Sequence, residues 1–454
     1  MKQLEKIKTV VLVVLIVVSL LLSGILWNTM PHLDSLSSAN YIAPQPFGRA
    51  YEAEELVQPA YARVHTGDGK HFQARADTNL YKKLVVNMKQ WNVYSFTPMS
   101  WNKEDWESIA GKKRGIELIY SGDVLEDTLG ELLTIRGQAI SGILSASRIW
   151  LYSNKEDGTV QVLFISDSRQ RIIRARISLT ATELEAYFHP PLLASLTEQI
   201  VYRPFSEKTG NPAVYVPKDQ LKMYRYRYFY QPITAQQMLS FLFTDAGLAR
   251  EVTERDGTQI YTNGSQTVSI PKHHTYLVYR NPIQVPKEAE EENNFNDSLH
   301  AAVSFMNKHG GWPGTYQFAG VDTALPGKSR AAVYRFRQHV GSYPLYSEHD
   351  GETVVVIETA GDSVAQAQYP MRQLDTYFER TATLVMNGGE IARQLERKGI
   401  PKEQVIGIEL AMYAGKRYDF MEVTPVWVIQ QRNKPPLYLA AAVSGGRGEI
   451  NGLE

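Results

Sequence analysis

Residues 9–31 carry no charge, and this run limits what the rest of the chain can be. Lys2, Lys6 and Lys8 precede it, and Val10 to Val18 reads Val-Val-Leu-Val-Val-Leu-Ile-Val-Val. About 20 apolar helical residues cross a hydrocarbon core of roughly 30 Å. A charged side chain at the centre of such a helix would cost roughly 2.5–3.5 kcal/mol, and none is present. The run therefore predicts a single transmembrane helix over 9–30, with Trp27 at its outer interface. The lysines lie before the span, so the positive-inside rule leaves residues 1–8 in the cytoplasm and the bulk of the chain extracytoplasmic. A cleaved signal peptide is the rival reading. Its apolar region spans roughly 7–15 residues and ends at a small-x-small site. Here the run is longer, and the nearest such site, Ser37-Ser38-Ala39, lies well beyond it. The expected location is the cell membrane, as a single-pass signal-anchor protein.

The residues beyond the span are enough for two or three domains with cores of their own. Acidic and basic residues number 48 each. A nucleic-acid binder carries a basic excess, so none is expected as a partner. There is no cysteine, which excludes a lipoprotein and a disulfide scaffold.

The expected fold class is α+β: the transmembrane helix, then a multi-domain region of antiparallel sheets with packed helices. Residues 31–205 read as a tether and an N-terminal mixed α/β domain. It has helices at Leu80–Asn92 and Trp101–Ala110, the second capped by Ser100 and closed by Gly111. Strands are expected at Gly115–Tyr120, Ser147–Tyr152, Val160–Ser166 and Arg169–Leu179, and a helix begins at Thr182. Residues 206–290 read as a central α+β domain. There Tyr224, Tyr226, Tyr228 and Tyr230 share one face of a strand, with Arg225 and Arg227 on the other. Thr234 and Gln237 form a capping box for a helix over Ala235–Ala246 that Gly247 ends. Asp256-Gly257 and Asn263-Gly264 are hairpin turns, a strand follows at Thr275–Tyr279, and Lys287–Asp297 is a solvated linker. Residues 291–454 read as a C-terminal α+β domain with helices at Asp297–His309 and Asn387–Lys398. Its strands fall at Ala331–His339, Thr353–Thr359, Val405–Met412, Phe420–Gln430 and Leu437–Ala442. A helix followed by an antiparallel meander thus occurs twice.

Few residues point to chemistry. Ser100-Trp-Asn-Lys103 is an S-x-x-K and Lys208-Thr-Gly210 a K-T-G, as in serine acyl-transfer enzymes. No S-x-N lies between them, the K-T-G is flanked by prolines, and Ser100 already has work as a cap. His273 and His274 are expected on opposite faces of a strand, His65 and His71 flank a Gly-Asp-Gly turn, and His300 and His309 fall on opposite sides of a helix. None makes a metal motif. Glu409 and Glu422 sit on strands without a marked partner. The sequence therefore implies no catalytic residue, no metal and no cofactor. Ser19 and Ser23, with Gly24 beside them, form a small-xxx-small pair on the span, a candidate face for packing against another membrane helix.

Four segments carry a likeness to a known family: Gly311-Trp-Pro-Gly-Thr-Tyr316, Gly341-Ser-Tyr-Pro-Leu-Tyr346, Ile408-Glu-Leu-Ala-Met-Tyr413 and Thr424-Pro-Val-Trp427. Their order, the short basic N-terminus, the single span and the length resemble the YycH (WalH) family. The last two segments are also similar to the related protein YycI, so 291–454 is expected to resemble it. The resemblance implies a non-enzymatic, membrane-anchored regulator of a WalK-like sensor histidine kinase that controls cell-wall metabolism. Its partners would be that kinase, a YycI-like membrane protein and membrane lipid. Two alternatives stay open: a sensor of cell-wall fragments, favoured by a deep pocket lined by the Tyr224–Tyr230 tyrosines, and a serine acyl-transfer enzyme.

Overall fold

The computed structural model describes residues 12–23, 45–100, 103–136, 145–154, 158–206, 211–282, 295–323 and 331–443. Two compact units are present, Met1–Gln45 and Pro46–Glu454. In the first, residues 12–23 form an apolar helix whose side chains are exposed, Leu20 at 68%. Among the described residues no helix is long and apolar enough to cross a membrane. The flanks of the expected span, including Gly24 and Trp27, lie outside the described residues.

The second unit is mixed α+β and is organised by two large sheets. The first takes its strands from the N-terminal part of the chain. Its centre runs, in order, His71–Ala74, Tyr61–Thr66, Arg114–Leu125, Ser145–Asn154, Thr159–Ser166 and Arg171–Ile177, all antiparallel. Alternation gives each strand two unlike faces. Ala62, Val64, Ile116, Leu118, Ile149 and Leu151 point into the main core, where the helix Asn79–Met88 lays Leu80, Leu84 and Met88. Arg63, His65, Glu117, Arg148 and Trp150 occupy the alternate positions.

The second sheet holds both expected helix–meander units. The helix Ala235–Leu242 precedes the meander Arg250–Thr253, Gln259–Thr262, Thr267–Ile270 and Tyr276–Arg280. The helix Phe295–Lys308 precedes Thr315–Asp322, Ala331–Val340, Val354–Ala360 and Ser363–Pro370. Pairing of Tyr276–Arg280 with Ser363–Pro370 merges the two meanders. At its other end, Leu221–Pro232 lies between Arg372–Val385 and Phe420–Gln431, which in turn pairs with Val405–Arg417.

Local signals explain most helix starts. Capping boxes hold Thr180 with Glu183, Thr234 with Gln237, and Asn387 with Glu390. Several expected boundaries move. The helix expected to reach Asn92 stops at Met88, because Asn92–Met99 is a strand against Arg171–Ile177. Gly111 lies inside the helix Lys103–Lys112 and does not close it; Trp101, the expected first residue, lies outside the described residues. The helix after Thr234 ends at Leu242, where Phe243 turns extended and is buried, and Gly247 falls in a separate short turn. His273 and His274 lie in a turn, not a strand, with His274 at φ 50. Most of the linker expected over Lys287–Asp297 lies outside the described residues.

Two close approaches tie distant parts of the unit together. Phe47 and Gly48 donate to the Gly310 carbonyl at 3.1 and 3.0 Å, and Trp312 donates to Arg49 O at 2.9 Å. A Cβ on Gly48 would meet Trp312 O at 2.2 Å, so only glycine fits there. Elsewhere the two sheets nearly touch: a Cβ on Gly122 would lie 2.6 Å from Ala319 O and 2.7 Å from Gly320 Cα.

Candidate functional site: the charged cleft between the two sheets

Beside that pinch point the sheets part and leave a cleft of about 560 Å³. Arg63, Arg148 and Asp167 line its first wall, and register sets the buried groups behind them. The turn Gly67-Asp68-Gly69, with both glycines at positive φ, folds His71 opposite His65. Strand Arg114–Leu125 then sets Glu117 opposite Arg63 on one side and opposite Trp150 on the other. The Arg63 guanidinium donates to Glu117 Oε2 at 2.6 Å, and Arg148 donates to Glu117 Oε1 at 2.8 Å. Arg148 also grips Asp167 with two bonds, at 2.5 and 2.9 Å. Two guanidiniums and two carboxylates therefore form one neutral chain of bonds. Glu117 is 1% exposed, and bidentate geometry of this kind makes a buried ion pair tenable.

Burial alone would push the Glu117 carboxyl up; Arg63, His65 and Arg148 outweigh it and hold that group well below its ordinary range. The facing Nδ1 atoms of His65 and His71 are 2.9 Å apart, so one imidazole donates and the other accepts. Burial lowers the pKa of both, with His71 brought to about 3 by burial, by His65 and by Arg63. Neutral rings suit their surroundings: His65 stacks on Trp150 at 4.7 Å, and His71 meets Tyr215 edge-on at 5.0 Å. Among the described residues no group of three or more His, Asp or Glu is placed to hold a metal ion.

The second wall has different electrostatics. Glu409 lines the cleft, and burial raises its pKa against the opposing pull of Arg75 and Arg337. Neither arginine forms an ion pair with it. Arg75 donates to Ser342 O at 3.2 Å and covers the Tyr343 ring. Arg337 donates to Leu345 O at 3.2 Å and covers the Tyr346 ring at 4.0 Å. Arg335 lines the same wall and is exposed.

The expected site residues do not gather here. Ser19 and Ser23 lie on the exposed helix 12–23, and Gly24 is outside the described residues. Ser100 is exposed after the strand Asn92–Met99, and Lys208-Thr-Gly210 lies outside the described residues. The four tyrosines do share one face, as expected, but they line no part of the cleft. They form a packed row, with Tyr226 and Tyr228 meeting Tyr377 at 5.4 and 5.8 Å and Arg380 covering Tyr224. Arg225 and Arg227 on the other face reach Glu422 and Glu379. Glu422, expected without a partner, thus has Arg225 and also Arg417.

Comparison with known proteins follows this architecture. A family model described as "YycH protein, N-terminal domain" matches residues 5–187, and one described as "YycH protein, C-terminal domain" matches residues 211–440. The chain is 21% identical over 452 residues to the "Two-component system WalR/WalK regulatory protein YycH" of Bacillus subtilis (strain 168), covering 95% of each chain. The crystal structure of YycH from Bacillus subtilis superposes with a TM-score of 0.66 at 17% identity, over 86% of this chain and 98% of that one, and so shares its fold. With two family models laid end to end over most of its length, the chain belongs to the YycH family.

Proposed function

We propose that this protein is a membrane-anchored accessory regulator of a WalK-like sensor histidine kinase that controls cell-wall metabolism. The observation that carries the reading is the end-to-end match to a relative named as a regulatory protein of the WalR/WalK system. That name also supports a non-enzymatic role. The uncharged run after Lys2, Lys6 and Lys8 supports a single span with the bulk of the chain extracytoplasmic. Regulation then works by contact, among membrane helices and among external domains, with the kinase and a YycI-like partner. To act, the regulator must bind one kinase state better than the other, by about 1–3 kcal/mol. On the span, the face of Ser19, Ser23 and Gly24 allows another helix to come close.

The test is cross-linking in native membranes followed by pull-down of the tagged chain. The kinase should be recovered with it; its absence at normal expression rejects the reading. Ser19→Leu with Ser23→Leu should insert normally yet lose the partners. Retention of both partners moves the contact to the external domains.

A further inference from the structure

The cleft leaves one anion and one cation without partners on the same wall. Glu409 accepts no hydrogen bond and has no ion pair within 4.0 Å among the described residues, although it lines both the main cleft and a smaller adjoining cavity. Its two cationic neighbours are engaged elsewhere. The second Arg75 guanidinium nitrogen reaches Leu410 O at 3.5 Å, and Arg337 also approaches Asp350 at 3.7 Å. A carboxylate left in such a place is costly unless a donor arrives from outside the protein. Arg335 stands two residues before Arg337 on the strand Ala331–Val340, so both project to the same face. Arg335 forms no ion pair among the described residues, and it too lines the cleft. Ile406, Ile408, Val321 and Val354 supply apolar lining. The volume lies within the range of small-molecule sites, roughly 300–1,000 Å³.

The ion pairs of the opposite wall do not compete for these charges. Arg63, Arg148, Glu117 and Asp167 are already bonded to one another, and the wall's remaining carboxylate, Asp123, takes hydroxyl bonds from Ser166 and Ser168. What the second wall lacks is an ammonium for Glu409 and a carboxylate for Arg335.

We propose that the cleft binds a zwitterionic ligand of amino-acid or short-peptide type, its ammonium received by Glu409 and its carboxylate by Arg335. Binding cancels both open charges without disturbing the ion pairs of the first wall. This inference does not depend on the regulatory reading, and either stands if the other fails.

Calorimetric titration of the full-length chain in detergent micelles provides the test. The probes are tri-alanine, N-acetyl-tri-alanine, which lacks the ammonium, and tri-alanine amide, which lacks the carboxylate. Tri-alanine should bind with a Kd below about 1 mM, and each blocked form at least about tenfold more weakly. Glu409→Gln should weaken tri-alanine and its amide by about tenfold and leave the acetylated form unchanged. Arg335→Gln should weaken tri-alanine and the acetylated form and leave the amide unchanged. Neither side chain is tied into the fold, so neither variant should melt below the wild type. Equal affinity for all three peptides overturns the proposal, as does no heat from any of them. Binding of only the amide identifies a cation site, and binding of only the acetylated form an anion site; either overturns the zwitterion assignment.

Discussion

The two walls of the cleft solve opposite electrostatic problems. On the first, Glu117 sits between Arg63 and Arg148, Arg148 holds Asp167 as well, and Asp123 accepts from the Ser166 and Ser168 hydroxyls. On the second, Glu409 and Arg335 have no ion-pair partner among the described residues, and Arg337 only the long approach to Asp350. The ion pairs of the first wall are inert, because these four groups are closed on one another and fixed by strand register. The second wall is less charged but open, because its groups keep unused bonding capacity. Burial pushes both glutamates toward the neutral form; only Glu117 has neighbours close enough to reverse that.

The sharpest way to break this contrast is Glu117→Gln, which leaves buried Arg63 without a counter-charge and Arg148 with Asp167 alone. Breaking a buried pair from one side costs about 3–5 kcal/mol, so the variant should lose that much in chemical denaturation. Glu117 has a folded pKa depressed below its ordinary 4.5. Its contribution is therefore present above that pH and is lost as pH falls below it. A wild-type-like denaturation midpoint for Glu117→Gln would refute the closed-wall description.

The histidines give the next effect. His71 is depressed to about 3 and His339 to about 4, both chiefly by burial. The unfolded chain takes up these protons below about pH 6.5 while the folded chain does not, so stability falls as pH drops through that range. One such proton is worth about 1.4 kcal/mol per pH unit. Melting temperature followed from pH 7 to 5 should decline, and His71→Gln should flatten the slope. An unchanged slope in that variant would mean that His71 is protonated in the folded state.

A smaller effect is expected at the pinch between the sheets. Gly122→Val forces a side chain against the backbone of residues 319 and 320 and should cost about 1–3 kcal/mol through overpacking. Unaltered stability would show that the sheets part there without penalty. The smallest effect, with the opposite sign, belongs to Glu409→Gln. Burial raises the folded pKa of Glu409, so its favourable contribution exists at acid pH and is lost as pH rises. At pH 7 the variant should match the wild type or gain up to about 1 kcal/mol. A loss like that of Glu117→Gln would erase the difference between the walls.

Much of this fold was legible because local chemistry declares itself. Thr234 with Gln237 and Asn387 with Glu390 cap the helices they announce, and Gly257 and Gly264 take the positive φ their turns require. The strand Arg372–Val385 escaped, because both of its faces are largely exposed and it shows no clean alternation. The charged wall escaped for another reason. Residues 63, 117, 148 and 167 meet only through strand register, which no single segment contains. One signal was available: Glu117 is a lone charge in Gly115-Ile-Glu-Leu-Ile-Tyr120, and a charge in so apolar a strand demands a buried partner. The tyrosine row was read correctly as one face, but its chemistry goes to packing, while the open charges, Arg335 and Glu409, arise from strands much later in the chain.

The seating of Leu221–Pro232 between Arg372–Val385 and Phe420–Gln431 sets a timetable for the newborn chain. Tyr226 pairs with Val423, and the Phe47–Arg49 stretch waits for Gly310 and Trp312. At a synthesis rate of about 5–20 residues per second, the strand ending at Pro232 stays without its later neighbour for roughly 10–40 s. During that interval its apolar and aromatic side chains are open to any other unfinished chain nearby. Closing of this sheet is therefore a late event, and an exposed strand of this kind is prone to association until its neighbour arrives.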